Sequence, residues 1–143
     1  MRQKKINQNL LNGLAAAMGF LVLATACTQT GNPSVKAIPP REAYGMVQND
    51  FAVIVDVREE SELAETGKVK GAKWFPTSEL GTEKWNEFVG TLPKEKKIVF
   101  YCARGGRAQK VAEHLAGKGF DAMNMGGFSD WKNEGLPTEP VSQ

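Results

Sequence analysis

At 143 residues, with 41% hydrophobic and 24% charged side chains, the chain has room for one globular domain and enough apolar material to bury a core without a disulfide framework. Its formal charge of +2 traces to Arg2, Lys4 and Lys5, which stand without acids at the N-terminus. The remainder is close to neutral and has no electrostatic reason to seek nucleic acid, and a single histidine cannot assemble a histidine-rich metal site, so neither metal nor cofactor is expected.

In chain order, the first segment reads as an address. Arg2, Lys4 and Lys5 form a positive n-region, Leu14 to Val22 an apolar h-region, and Ala24-Thr25-Ala26 a small-residue cleavage position, so residues 1–26 are expected to be a secretory signal. The apolar stretch is shorter than the roughly 20 residues a membrane-crossing helix needs. Leu23-Ala24-Thr25-Ala26-Cys27 resembles the lipobox of bacterial lipoproteins, although Leu23 stands one place further from the cysteine than that family prefers. The resemblance implies lipid on Cys27 and a periplasmic protein tethered to a membrane; ordinary cleavage after the same A-x-A would instead release a soluble periplasmic form. In either case residues 27–39 read as a linker, 40–138 as the folded domain and 139–143 as a C-terminal tail.

Within the domain, Pro40 to Gln48 reads as a short helix opened by proline at its first turn. Phe51 to Val57 is an uninterrupted β-branched run, the mark of a strand covered on both faces. Glu59 to Ala64 suits a short acidic helix, and Ala72 to Phe75 a brief strand stopped by Pro76. Trp85, Phe88, Val89 and Leu92 recur at helical spacing within Thr82 to Leu92. Lys97 to Tyr101 is a second β-rich strand, Arg107 to Lys118 a helix, Ala122 to Met125 a last strand, and Trp131 the centre of a closing helical turn. Alternating strands and helices imply an α/β domain with a mainly parallel central sheet and helices on both faces, which binds ligands at the carboxyl ends of its strands.

Cys102 falls at such an end. If Cys27 carries lipid, Cys102 has no partner within the chain, and an inert buried cysteine would be the commoner fate of a lone thiol. Its neighbours argue otherwise. Gly105 and Gly106 permit backbone angles that turn successive N–H groups inward, the helix start adds unpaired donors, and Arg104 and Arg107 add full positive charge, so Ala103, Arg104, Gly105, Gly106 and Arg107 are expected to bind an anionic substrate. The same surroundings favour the thiolate. Lowering a thiol pKa by two units from about 8.5 raises the thiolate fraction about 25-fold at pH 7. The accompanying loss of nucleophilicity returns roughly 6- to 10-fold, so holding the substrate and its anionic intermediate is the larger purpose of such a loop.

These residues resemble the rhodanese family, the single-domain thiosulfate sulfurtransferases of the exported bacterial type. Asp56-Val57-Arg58-Glu59 is similar to the family's D-x-R-E, Gly67-Lys68-Val69-Lys70-Gly71-Ala72 to its G-H-I-P-G-A, Cys102-Ala103-Arg104-Gly105-Gly106-Arg107 to C-x-x-G-x-R, and Gly126-Gly127 with Trp131 to the closing G-G…W. Lys68 and Lys70 stand where the family has histidine and proline. The resemblance implies a rhodanese-like domain in which Cys102 takes sulfane sulfur from thiosulfate or a persulfide donor, holds it as a persulfide, and passes it to cyanide or a thiol. Two other classes use similar parts. A non-catalytic rhodanese-like binding or sulfur-relay module is one; a cysteine-based phosphatase or arsenate reductase, whose loop has five residues between cysteine and arginine where this chain has the four from Ala103 to Gly106, is the other. Asp56 and Arg58 read as a structural pair beside the site, with Arg58 reaching toward Glu62. His114 reads as a solvated helix residue, and Trp74, Trp85 and Trp131 as packing.

Overall fold

The computed structural model describes residues 34–141. The signal-type leader and Cys27 lie outside them. The elements follow as β1 (Lys36–Ala37), α1 (Pro40–Gln48), β2 (Ala52–Asp56), α2 (Glu60–Thr66), β3 (Lys68–Val69), β4 (Lys73–Trp74), a 3-10 turn (Thr77–Glu79), α3 (Glu83–Gly90), β5 (Lys97–Cys102), α4 (Gly106–Ala116), β6 (Ala122–Gly127), α5 (Phe128–Asn133) and β7 (Thr138–Glu139). No helix among the described residues is long and apolar enough to cross a membrane.

Five strands form a sheet in the order β1-β6-β5-β2-β4, every pair parallel, and β3 and β7 form a small antiparallel ribbon beside it. The β-branched runs at β2 and β5 are apolar on both faces because both faces are covered. On one, Val55, Ile98, Phe100 and Cys102 pack with Trp85 of α3 and Ala108, Val111, Ala112 and Leu115 of α4. On the other, Ile54, Val99, Tyr101, Met123 and Met125 meet Ala43 of α1 and Phe128 and Trp131 of α5. The expected α/β architecture is therefore present.

The folded unit is wider than the sequence reading allowed. Lys36–Ala37, placed in the linker, pairs with Met123 and Asn124 of β6, and Glu139, placed in the tail, pairs with Lys68 of β3. Two-residue strands carry no periodicity of their own; their partners make them strands. Lys68, in the family's histidine position, forms an ion pair with Glu139 and donates to the Ala72 carbonyl at 2.8 Å, so the lysine ties the small ribbon together.

Candidate active site

β5 carries Cys102 to the carboxyl end of the sheet, and the chain then turns back into α4 within four residues. The turn depends on Gly105, whose φ of 92° lies in the left-handed region that other residues rarely adopt. In that conformation its N–H points back to the Cys102 Sγ at 3.0 Å. Cys102 is 2% exposed, so a donor must bring its sulfur into the loop. Burial pushes the thiol pKa up, but the backbone N–H groups of Ala108, Arg104, Gly105 and Arg107 outweigh it and hold the pKa below the ordinary value. Of the two glycines, Gly105 is the one whose N–H is hydrogen-bonded to the sulfur.

The two loop arginines differ. Arg104 is exposed and, among the described residues, has no carboxylate partner. Arg107 is clamped by Glu62 of α2, its two terminal nitrogens donating to the carboxylate at 2.6 and 2.7 Å. That pair depresses the Glu62 pKa to about 2 and raises that of Arg107, which also lies close enough to Cys102 to be held charged by a thiolate there. Arg107 is therefore a fixed wall of the loop, and much of its charge is already matched.

Glu62 was expected to receive Arg58, and the structure corrects this. Arg58 instead folds back onto Asp56, donating from Nε at 3.0 Å and from Nη2 at 2.6 Å, with its remaining donors on Thr66 Oγ1 at 2.8 Å and the Gly67 carbonyl at 2.7 Å. Its guanidinium also lies 4.2 Å from the centroid of Phe128. The single intervening residue, Val57, makes a fork-to-carboxylate return possible across one turn, and α2 ends where Arg58 needs acceptors. Asp56 and Arg58 are buried, as a structural pair beside the loop should be. Glu59 joins α2 to the 3-10 turn by accepting from Thr77 Oγ1 and Ser78 Oγ.

β6 supplies the floor. A register shift between Phe100 and Tyr101 sets Gly126 opposite Tyr101 and Gly127 opposite Cys102, with Met125 as the extra residue. A Cβ on Gly127 would lie 2.7 Å from the Ala103 carbonyl oxygen, and one on Gly105 would lie 3.1 Å from the Gly126 Cα, so the loop can sit down only on glycines. Asn124 pins it there: Nδ2 donates to the Gly105 carbonyl at 3.2 Å and to Gln109 at 3.0 Å, while Oδ1 accepts from Gly126 N at 2.9 Å. Sequence reasoning missed Asn124; its one signal is an amide side chain inside a strand, where such residues are depleted.

Beside Ala103 opens a cleft of about 250 Å³, lined by Arg58, Glu62, Glu65, Phe128 and Lys132 among others. Lys132 lies 5.1 Å from the Phe128 ring centroid and, like Arg104, has no carboxylate partner among the described residues. The remaining sequence readings hold: His114 is exposed, Trp85 and Trp131 are buried, and Trp74 donates from its indole to the Arg58 carbonyl at 2.9 Å.

The sequence and fold can also be set beside those of known proteins. The model of the rhodanese-like domain matches residues 39–134. This chain belongs to the rhodanese family. It is 31% identical over 104 residues to thiosulfate sulfurtransferase GlpE of Actinobacillus succinogenes, covering 71% of this chain and 88% of that one. GlpE of Coxiella burnetii is 32% identical over 99 residues, covering 68% and 87%. Among solved structures, a rhodanese-related protein from Thermoplasma volcanium aligns with a TM-score of 0.63 at 30% identity, covering 74% of this chain and 99% of that one.

Proposed function

We propose that this rhodanese-family domain is an exported sulfurtransferase, tethered by lipid on Cys27, that carries sulfane sulfur on Cys102. The observation that carries the sulfur chemistry is the Gly105 N–H donated to the Cys102 Sγ at 3.0 Å at the start of α4, where backbone N–H groups hold the thiol pKa below its ordinary value. The thiolate attacks the outer sulfur of thiosulfate; a new S–S bond forms, the bond to the sulfonate sulfur breaks, and sulfite leaves with the electron pair. The loop amides then hold the terminal sulfur as they held the thiolate. An acceptor thiolate, or cyanide in the test tube, attacks that sulfur and returns the Cys102 thiolate with no metal or redox cofactor called upon. Arg104 and Lys132, which have no carboxylate partner among the described residues, meet the incoming anion, while Arg107 shapes the loop through Glu62. The names of the GlpE relatives support a thiosulfate donor. Export and the lipid rest on the leader sequence alone.

Incubation with thiosulfate followed by mass spectrometry should show one added sulfur atom on the peptide containing Cys102. Cys102→Ala should abolish both this adduct and thiocyanate formation. Turnover that survives in the alanine variant would show the nucleophile to be elsewhere. Hydrolysis of phosphate esters without any persulfide would favour a phosphatase.

A further inference from the structure

The cleft of about 250 Å³ beside the reactive loop lies between α2 and α5, and Ala103, the residue that follows the nucleophile, is part of its wall. Four charged side chains line it: Arg58 and Lys132, Glu62 and Glu65. Two of them are already answered, Arg58 by Asp56 and Glu62 by Arg107. What remains is one charge of each sign. Lys132 has no carboxylate partner and Glu65 no cationic partner among the described residues, and although both line the same cleft they do not pair with each other.

Arg58 adds a spare donor. A guanidinium carries one N–H on Nε and two on each terminal nitrogen. Nε donates to Asp56, Nη2 donates to Asp56 and to the Gly67 carbonyl, and Nη1 donates to Thr66 Oγ1. The second Nη1 hydrogen has no acceptor among the described residues, although Arg58 is only 3% exposed and a donor so buried is costly to leave unpaired. A ligand in the cleft that Arg58 lines can supply the acceptor. The Arg58 guanidinium and the Lys132 Nζ stand 4.2 and 5.1 Å from the centroid of the same Phe128 ring, so the two cations are neighbours.

We propose that this cleft seats the sulfur acceptor, and that the acceptor is a free amino-acid thiol, a small molecule bearing both a carboxylate and an ammonium group. Its carboxylate takes the Lys132 ammonium and the spare Arg58 N–H, and its ammonium takes Glu65. The inference rests on the sulfurtransferase reading above and names the acceptor which that reading leaves open. Lys132 serves both half-reactions: it meets the donor anion first, and once sulfite has left it is free for the carboxylate of the acceptor. The acceptor thiolate then bonds to the terminal sulfur as the bond to Cys102 Sγ breaks and its electron pair returns to Sγ. The persulfide passes to the amino acid, and the protein regains its thiolate with no net oxidation. A thiol with only one of the two charges leaves Lys132 or Glu65 unanswered, and a cysteine inside a polypeptide, its amine and carboxyl tied up in peptide bonds, offers neither.

The test loads the full-length chain with thiosulfate, removes the excess by gel filtration and follows loss of the added sulfur from the Cys102 peptide by mass spectrometry. The acceptors are L-cysteine, 3-mercaptopropionate, which lacks the ammonium, and cysteamine, which lacks the carboxylate. Each rate is divided by that thiol's rate with 2-hydroxyethyl disulfide, which removes differences in ionisation and nucleophilicity. L-Cysteine should then lead each of the others by about three- to fivefold, the range of one exposed ion pair. Glu65→Gln should erase the lead over 3-mercaptopropionate and keep that over cysteamine, whereas Lys132→Gln should shrink the lead over cysteamine and keep the other. Variants that slow all three thiols alike would overturn these roles. Equal corrected rates in the wild type, or discharge by none of the three, would overturn the amino-acid acceptor and leave the sulfurtransferase reading standing. If neither thiosulfate nor inorganic polysulfide loads Cys102, that reading falls and the acceptor site with it.

Discussion

Around Cys102 the work is divided between backbone and side chains. Four backbone N–H groups lower the thiol pKa against the penalty of burial, and they serve equally a thiolate and a sulfur atom added to it. Arg107 is a positioning residue, because Glu62 accepts from both of its terminal nitrogens. Arg107→Ala would leave the Glu62 carboxylate unmatched near the thiol. We expect the Cys102 pKa to rise, read as an upward shift in the pH profile of thiol alkylation, and kcat/KM with thiosulfate to fall about tenfold, or 1.4 kcal/mol. Adding Glu62→Gln to Arg107→Ala should return part of both, since it removes the stranded charge. An alkylation profile identical to wild type would show that Arg107 does not act on the thiol.

Between elements, the reactive loop is set by what lies next to it. The β6 bulge brings Gly126 and Gly127 level with Tyr101 and Cys102, and Asn124 ties the floor to the Gly105 carbonyl. In Gly127→Ala the new methyl would meet the Ala103 carbonyl oxygen at 2.7 Å, so the loop must lift. The amides would then move from the sulfur, and persulfide formation should drop at least tenfold, whereas a melting-temperature scan should show a smaller loss because the contact is at the rim of the core. Full activity in that variant would mean that the close approach is not required. On the other side of the loop, Asp56 and Arg58 join the end of β2 to the end of α2 and to Phe128 of α5. Asp56→Ala strands a buried guanidinium and should cost about 3–5 kcal/mol in denaturant unfolding. A loss below about 1 kcal/mol would show that water reaches Arg58 readily.

For the whole molecule, one ion pair predicts a pH dependence of stability. The Arg107 hydrogen bonds lower the Glu62 pKa from 4.5 to about 2, so the folded state binds the proton less readily than the unfolded chain. The stabilisation is complete above pH 4.5 and is lost as pH falls from 4.5 toward 2. Denaturant midpoints measured across that window should fall less steeply in Glu62→Gln than in wild type; parallel curves would refute the coupling. Much was legible beforehand. The β-branched runs of β2 and β5 specified buried parallel strands because each residue there is apolar in its own right, and Cys102 with Gly105 and Gly106 specified an amide-lined turn because glycine's freedom is a property of the residue. Which carboxylate meets which guanidinium was not legible. Arg58 and Arg107 both lie within reach of acids in the sequence, and only the packing of α2 against the loop sends Arg107 to Glu62 and returns Arg58 to Asp56. Likewise β1 and β7 are too short to announce themselves and exist as strands through β6 and β3. Sequence determined the main elements and the place of the Cys102 thiol at a strand end, because those depend on local conformation and chemistry; tertiary structure decided the partners of the charges, because a pairing depends on where distant elements are brought to rest.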